Sequence, residues 1–186
     1  MATSFGSSAL LTPANAVTVV RLLLAPIVVV MVVDTGPSWP AFILGFGLAV
    51  TDGLDGHMAR RHGTTRSGAF LDPLADKVLV LGILYALVTI DRFWWLPVAI
   101  IALREVAISV FRAHLGRQGL AVEARYWAKV KTVVQELVLA FALLPLTADV
   151  RWIADSLLWL AVALTVITGV QYLHDGRRAA TAMEPM

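Results

Sequence analysis

The stretch that decides the fold runs from Thr51 to Asp76, TDGLDGHMARRHGTTRSGAFLDPLAD. It holds four aspartates, yet it lies between two apolar runs, WPAFILGFGLAV from Trp39 and KVLVLGILYALVTI from Lys77. The whole chain explains the contrast. Of 186 residues, 59% are hydrophobic and 15% charged, with a mean hydropathy of +0.78; a soluble domain has about 45–50% apolar and about 25% charged residues. High apolar content excludes disorder, glycine shows no collagen-like period, and the absence of cysteine excludes a disulfide scaffold or a thiolate metal site. The class that remains is an all-α integral membrane protein. At about 20 residues per span, six spans fill the chain and leave no separate soluble domain, so residues 1–186 are expected to form a single membrane domain.

Apolar runs bounded by charges or turn signals predict helices at about 14–33, 39–60, 68–90, 93–115, 125–146 and 152–173. The N-terminus lacks the basic region of a signal peptide, so the first helix is expected to be retained. The tail after Asp175 reads as disordered. Alternating the connections across a bilayer puts Arg60, Arg61, Arg66, Arg112, Arg117, Arg125, Lys129, Lys131, Arg177 and Arg178 on one side and only Arg92 and Arg151 on the other. The positive-inside rule then places both termini in the cytoplasm, with Trp39, Trp94, Trp95 and Trp152 as an aromatic belt at the far interface. A net charge of +2 gives no argument for a nucleic-acid partner.

Ionised groups inside spans are costly and mark function. Here Asp52 and Asp55, then Asp72, Asp76 and Lys77, then Arg104 and Glu105, then Lys129, Lys131 and Glu136 all fall at one leaflet depth. The expectation is six transmembrane helices around a polar cavity open to the cytoplasm. On a helix, Asp52, Asp55, Gly56, Ala59 and Arg60 form one stripe, and Asp72 and Asp76 share a face of the next helix. A hairpin of the two can gather four carboxylates, whose repulsion at low dielectric calls for cations. Oxygen-only ligands select Mg²⁺ or Mn²⁺, as a pair. Gly56 and Ala59 leave a slot beside the metals, and Arg60 and Arg66 supply anion ligands, which together suit a nucleotide diphosphate. A second basic group, Arg104, Arg112, Lys129 and Lys131, approaches from other helices, with Arg104 and Arg112 read as sharing a face. Two phosphate-binding regions flanking one metal centre describe phosphoryl transfer between two anionic substrates.

Plainer readings stand beside these. The aspartates could pair between helices with Arg60, Lys77 or Arg104, and Arg125, Lys129 and Lys131 could only set orientation or touch anionic lipid. Glu105 could simply orient Arg104. Asn15 and Arg21 could line the nucleotide site or anchor the first helix. His57 and His62 do not share a helix face, which argues against a zinc pair. Gly45, Gly47 and Gly82 read as helix-packing positions. A small cation transporter or channel is the reading from a different class; it requires carboxylates near the bilayer midplane and an exit on the far side.

The pattern D-x2-D-G-x2-A-R-x7-G-x3-D-x3-D, filled by Asp52, Asp55, Gly56, Ala59, Arg60, Gly68, Asp72 and Asp76, resembles the signature of the CDP-alcohol phosphotransferases. Further likeness, to the branch that makes phosphatidylglycerophosphate in bacteria, covers nearly the whole chain. It lies in Asn15, Thr18, Arg21 and Pro26, in GAFLDPLADKVLV from Gly68, in REVAISVFR from Arg104 and in AKVKTVVQ from Ala128, where glycine is expected at Ala128. The resemblance implies the six-helix fold of that family, a homodimer, and a multi-pass location in the bacterial inner membrane with the site facing the cytoplasm. It implies that Asp52, Asp55, Asp72 and Asp76 hold the divalent ions and that Asp76 is also the general base. Gly56, Ala59 and Arg60 would seat the cytidine diphosphate of CDP-diacylglycerol, with Arg66, Gly68 and Asn15 beside them. Arg104, Arg112, Lys129 and Lys131 would take the phosphate of sn-glycerol 3-phosphate. The implied products are phosphatidylglycerophosphate and CMP. Within the same family, a cardiolipin synthase with phosphatidylglycerol as acceptor is the alternative, and an inositol phosphate acceptor comes third.

Overall fold

A computed structural model describes the backbone of residues 13–62, 68–117 and 126–181, and side chains over 17–51, 74–116 and 126–176. Its described elements are six α-helices and one short 3₁₀ turn: α1 (Pro13–Thr35), α2 (Trp39–His62), α3 (Gly68–Thr89), α4 (Trp95–Arg117), α5 (Tyr126–Leu143), the turn Pro145–Thr147, and α6 (Arg151–Thr181). Asn15, Asp52, Asp55, Gly56, Ala59, Arg60, Arg66, Gly68 and Asp72 lie outside the residues whose side chains are described, as do His57 and His62.

Local chemistry sets the helix ends. Pro13 opens α1 at a position where a missing N–H costs nothing. Gly36, at φ +67°, closes it, its N–H reaching the Val32 carbonyl at 2.9 Å, the left-handed cap that glycine adopts without strain. Pro145 stops α5 at Leu143, short of the predicted residue 146, and Thr147 Oγ1 donates to the Phe141 carbonyl at 2.6 Å and the Leu144 carbonyl at 3.0 Å. The sixth helix corrects the expectation in the other direction. It continues to Thr181, through a polar segment expected to be disordered, because nothing between Leu173 and Thr181 except Gly176 opposes helix and the turns already formed propagate at little cost.

The burial pattern inverts that of a soluble protein. Leu23, Ile43, Leu103, Val110 and Val170 are exposed, whereas Arg21, Lys131, Gln135, Thr165 and Thr168 are buried. Apolar groups outward and charge inward is the arrangement that lipid solvation favours, and the chain is a membrane protein. Among the described residues, Val17–Thr35 and Arg151–Gly176 are long and apolar enough to cross a bilayer unaided, and Trp39–Thr51 is a shorter apolar stretch. Ionised groups lie within the apolar runs of α3, α4 and α5, and Arg21 lies within that of α1.

Helix α1 packs most extensively on α3, not on its sequence neighbour α2; α5 packs on α6, and α6 on α4. Over the described residues α2 and α3 touch only slightly, so the hairpin expected of them is not a closely packed one there. Two glycines make the close approaches possible. A Cβ on Gly82 would stand 2.9 Å from Val29 Cγ2, and one on Gly45 would stand 3.2 Å from Leu143 Cδ1 and 3.4 Å from Val28 Cγ1. Gly47, also expected to be a packing position, faces open space instead.

At the end remote from Asp76, the α3–α4 turn is tied to the start of α6. Asp91 adopts φ 53°, and its carbonyl accepts from Arg151 Nη2 at 2.5 Å. The next residue, Arg92, is buried, lies 3.7 Å from Asp155 Oδ1 and stacks its guanidinium 5.5 Å above the Phe93 ring. The only two basic residues expected on that side are thus fastened to the fold.

Gly82→Leu is expected to lower the stability of the detergent-solubilised protein by about 1–3 kcal/mol, the usual cost of overpacking. Gly47→Leu is expected to leave the thermal midpoint unchanged, and equal effects of the two would contradict the packing described.

Candidate active site

Because successive helices alternate in direction, Lys131 in the first half of α5, Arg104 and Glu105 midway along α4 and Thr168 just past the middle of α6 meet inside the bundle, and Asp76 lies before the middle of α3. The ionisable members are residues that an apolar helix does not accept without a partner.

Glu105 is the junction. Its Oε1 accepts from Arg104 Nη1 at 3.0 Å and from Lys131 Nζ on α5. The exposures of the three side chains are 15% for Arg104, 12% for Glu105 and 6% for Lys131, so water screens them little and the attraction is strong. The charge of Asp76 acts on Lys131, and that of Lys77 on Glu105. Two of the residues read as acceptor-phosphate ligands are thus joined through one carboxylate. The unit of Arg104, Glu105 and Lys131 keeps a net charge of about +1, suited to an anion.

A narrow, mainly apolar cleft between α1, α2, α3 and α5 reaches this region. Arg21, Asp76 and Glu136 supply its polar lining, and Phe42, Phe46 and Leu143 part of its apolar wall. Arg21 is 1% exposed. It shares the polar lining of the cleft with Asp76 and Glu136.

The remaining members of the second basic group stand apart. Arg112 and Lys129 are exposed, and no ion pair among the described residues ties either to the Arg104–Lys131 unit. Eight residues of helix separate Arg112 from Arg104 by about 12 Å along the axis. Among the described residues no three His, Asp or Glu side chains gather as a metal site; three of the four candidate aspartates lie outside that set.

Sequence reasoning left two contributors out. Thr168 accepts from Arg104 Nη2 at 3.0 Å, and Gly169 lies against the Arg104 side chain. Inside the apolar run of α6 a threonine and a glycine carry no signal that distinguishes them from packing residues.

Residues 11–167 match the family model described as CDP-alcohol phosphatidyltransferase. The chain belongs to the CDP-alcohol phosphatidyltransferase family. It is 34% identical over 175 residues to a Mycobacterium tuberculosis protein named "Probable phosphatidylglycerophosphate synthase", covering 89% of this chain and 81% of the relative. It is 36% identical over 166 residues to the CDP-diacylglycerol--glycerol-3-phosphate 3-phosphatidyltransferase of Haemophilus influenzae, covering 84% of this chain and 89% of the relative. To the Escherichia coli K12 protein of the same name it is 36% identical over 168 residues, covering 86% and 92%. As a CDP-alcohol phosphatidyltransferase, the chain has its described charge unit in α3, α4 and α5, inside the matched stretch, whereas Thr168 and Gly169 fall just beyond it.

Removing Glu105 leaves two buried cations facing each other. Glu105→Ala is expected to destabilise the protein by about 3–5 kcal/mol. Adding Lys131→Met to it should recover part of that loss, a non-additivity read directly from a double-mutant cycle of thermal unfolding. Strict additivity would mean that the two side chains do not interact.

Proposed function

We propose that this chain transfers the phosphatidyl group of CDP-diacylglycerol to sn-glycerol 3-phosphate, giving phosphatidylglycerophosphate and CMP. The observation that carries the reading is the cluster of Arg104, Glu105 and Lys131 held inside the bundle by direct ion pairs, a candidate anion site. The names of the relatives at 34–36% identity support it.

The chemistry is a displacement at phosphorus. The primary hydroxyl of the acceptor attacks the β-phosphoryl group, its proton passes to a carboxylate oxygen of Asp76, the new P–O bond forms, and the bond to the CMP oxygen breaks with its electron pair. Arg104 and Lys131 would hold the acceptor phosphate, and Arg112 and Lys129, nearer the water, would steer it inward. Asp52, Asp55 and Asp72 with Asp76 would hold two divalent ions. That set, on α2 and α3, is all oxygen and fits Mg²⁺ or Mn²⁺. When bound, the ions supply neutralisation of the diphosphate and of the departing CMP. Gly56, Ala59 and Arg60, with Asn15, Arg66 and Gly68 nearby, would seat the cytidine diphosphate. Its acyl chains would stay in the bilayer, reached through the apolar cleft that ends at Asp76 and Arg21.

The same reading makes all six helices spans of one membrane domain, with the polar cavity, both termini and the site on the cytoplasmic face of a bacterial inner membrane. The excess of Lys and Arg on that side supports it, and the exposed apolar faces leave room for a homodimer. Asp52 and Asp55 in the second half of α2 and Asp72 in the first turns of α3 would put the metal centre toward one end of the bundle, which suits an enzyme working at headgroup depth better than an ion path through the membrane.

Purified protein with Mg²⁺ is expected to release CMP from CDP-diacylglycerol only when sn-glycerol 3-phosphate is present. Preference for phosphatidylglycerol or inositol phosphate in a radiolabelled acceptor competition would overturn the assignment. Asp76→Asn should reduce turnover by at least about 10²-fold, the scale of general-base loss, while labelled CDP-diacylglycerol still binds; retained turnover would remove Asp76 from the role.

A further inference from the structure

The fourth and sixth helices meet at Arg104, and the contact is built in an unusual way. The stem of Arg104 lies on Gly169, where a Cβ would stand 3.3 Å from its Cγ and 3.4 Å from its Nε. Nη2 donates to Thr168 Oγ1 at 3.0 Å. Thr168 is 4% exposed and donates its own proton to the Leu164 carbonyl at 2.7 Å. The hydroxyl is therefore committed as a donor to α6, and its lone pairs are left for the guanidinium. On the other side, Nη1 donates to Glu105 at 3.0 Å.

A guanidinium carries five N–H groups in one plane. Two are taken, one on each terminal nitrogen, by acceptors on different helices, which fixes the plane as well as the position. Three remain: Nε–H, which is buried against Gly169, and the second N–H of each terminal nitrogen, the pair that would meet an anion. A fixed fork with unused donors is the geometry that takes two oxygens of a phosphate at once.

We propose that Thr168 and Gly169 form a cradle on α6 that orients Arg104 for the phosphate of a small polyol phosphate acceptor, and so set acceptor affinity without touching the acceptor. They are positioning residues. The proposal rests on the transferase reading above, and it adds a helix that contributes no charge of its own to the described unit. Gly169 supplies room for the Arg104 stem, and Thr168 supplies the acceptor that keeps the fork from rotating.

Steady-state kinetics on the full chain in detergent micelles tests this with Thr168→Val, Thr168→Ser and Gly169→Ala. Loss of a hydrogen bond to a charged group corresponds to about a tenfold change or more. Thr168→Val, which keeps shape and removes the hydroxyl, is expected to raise KM for sn-glycerol 3-phosphate about tenfold. KM for CDP-diacylglycerol and binding of the labelled donor should stay as in the unaltered chain. Thr168→Ser should restore the acceptor KM, which a purely packing role for the methyl group would not allow. Gly169→Ala, forcing the Arg104 stem aside, should raise the same constant. An unchanged acceptor KM in both Thr168→Val and Gly169→Ala overturns the cradle while leaving the reaction in place. So does a fall in kcat alone, or an equal loss of donor binding. Absence of CMP release by the unaltered chain would instead overturn the transferase reading itself, so the two failures are distinct.

Discussion

A carboxylate held between two cations inside an apolar bundle ties α4 to α5. Glu105 accepts from Arg104 on its own helix and from Lys131 on α5. Three ionised groups at such low exposure are tolerable only together: each one alone faces a desolvation cost that the pair or triad offsets. Removing the central negative charge would leave two positive ones with no water to separate them. The triad also keeps a net charge of about +1.

The rest of the packing keeps that triad in register. The most extensive helix contact, α1 on α3 with Gly82 at the seam, holds the element that carries Asp76. The contact of α4 with α6 at Gly169 holds Arg104. The Arg151 and Arg92 contacts at the opposite end fasten the α3–α4 turn to α6, so the two elements bearing Asp76 and Arg104 are joined at one end by a fixed turn. Small residues set the distances, and charged residues fill the space those distances leave.

All-helical character and membrane class were legible in the sequence because apolar runs of span length leave no other economical structure. The polar depth was legible for the same reason, since an Asp or Arg in such a run is conspicuous. Helix ends were less so. Pro145 shortened α5, whereas α6 ran on to Thr181 past the point where apolar content falls, because apolar content reports what lipid would accept and not where hydrogen bonding stops. Residue spacing misled at Gly47, which looked identical to Gly45 but faces open space. Glu105 was visible as a possible partner for Arg104, but its bond to Lys131 crosses to another helix, and no local pattern encodes that. Thr168 and Gly169 were invisible for a simpler reason: their significance depends wholly on Arg104, sixty-odd residues earlier.

The preference of α1 for α3 over α2 bears on how the protein is made. A ribosome finishes α1 well before α3 exists, and α1 is one of the two helices apolar enough to enter a bilayer unaided. It carries Arg21, which in the finished bundle is buried in the cleft with Asp76. During synthesis that guanidinium must therefore wait, close enough to the headgroups to reach water and phosphate, until the third helix arrives. Assembly is then a delayed capture and not a sequence of nearest-neighbour hairpins, and the small face around Gly82 is what lets the late helix slide in against the early one.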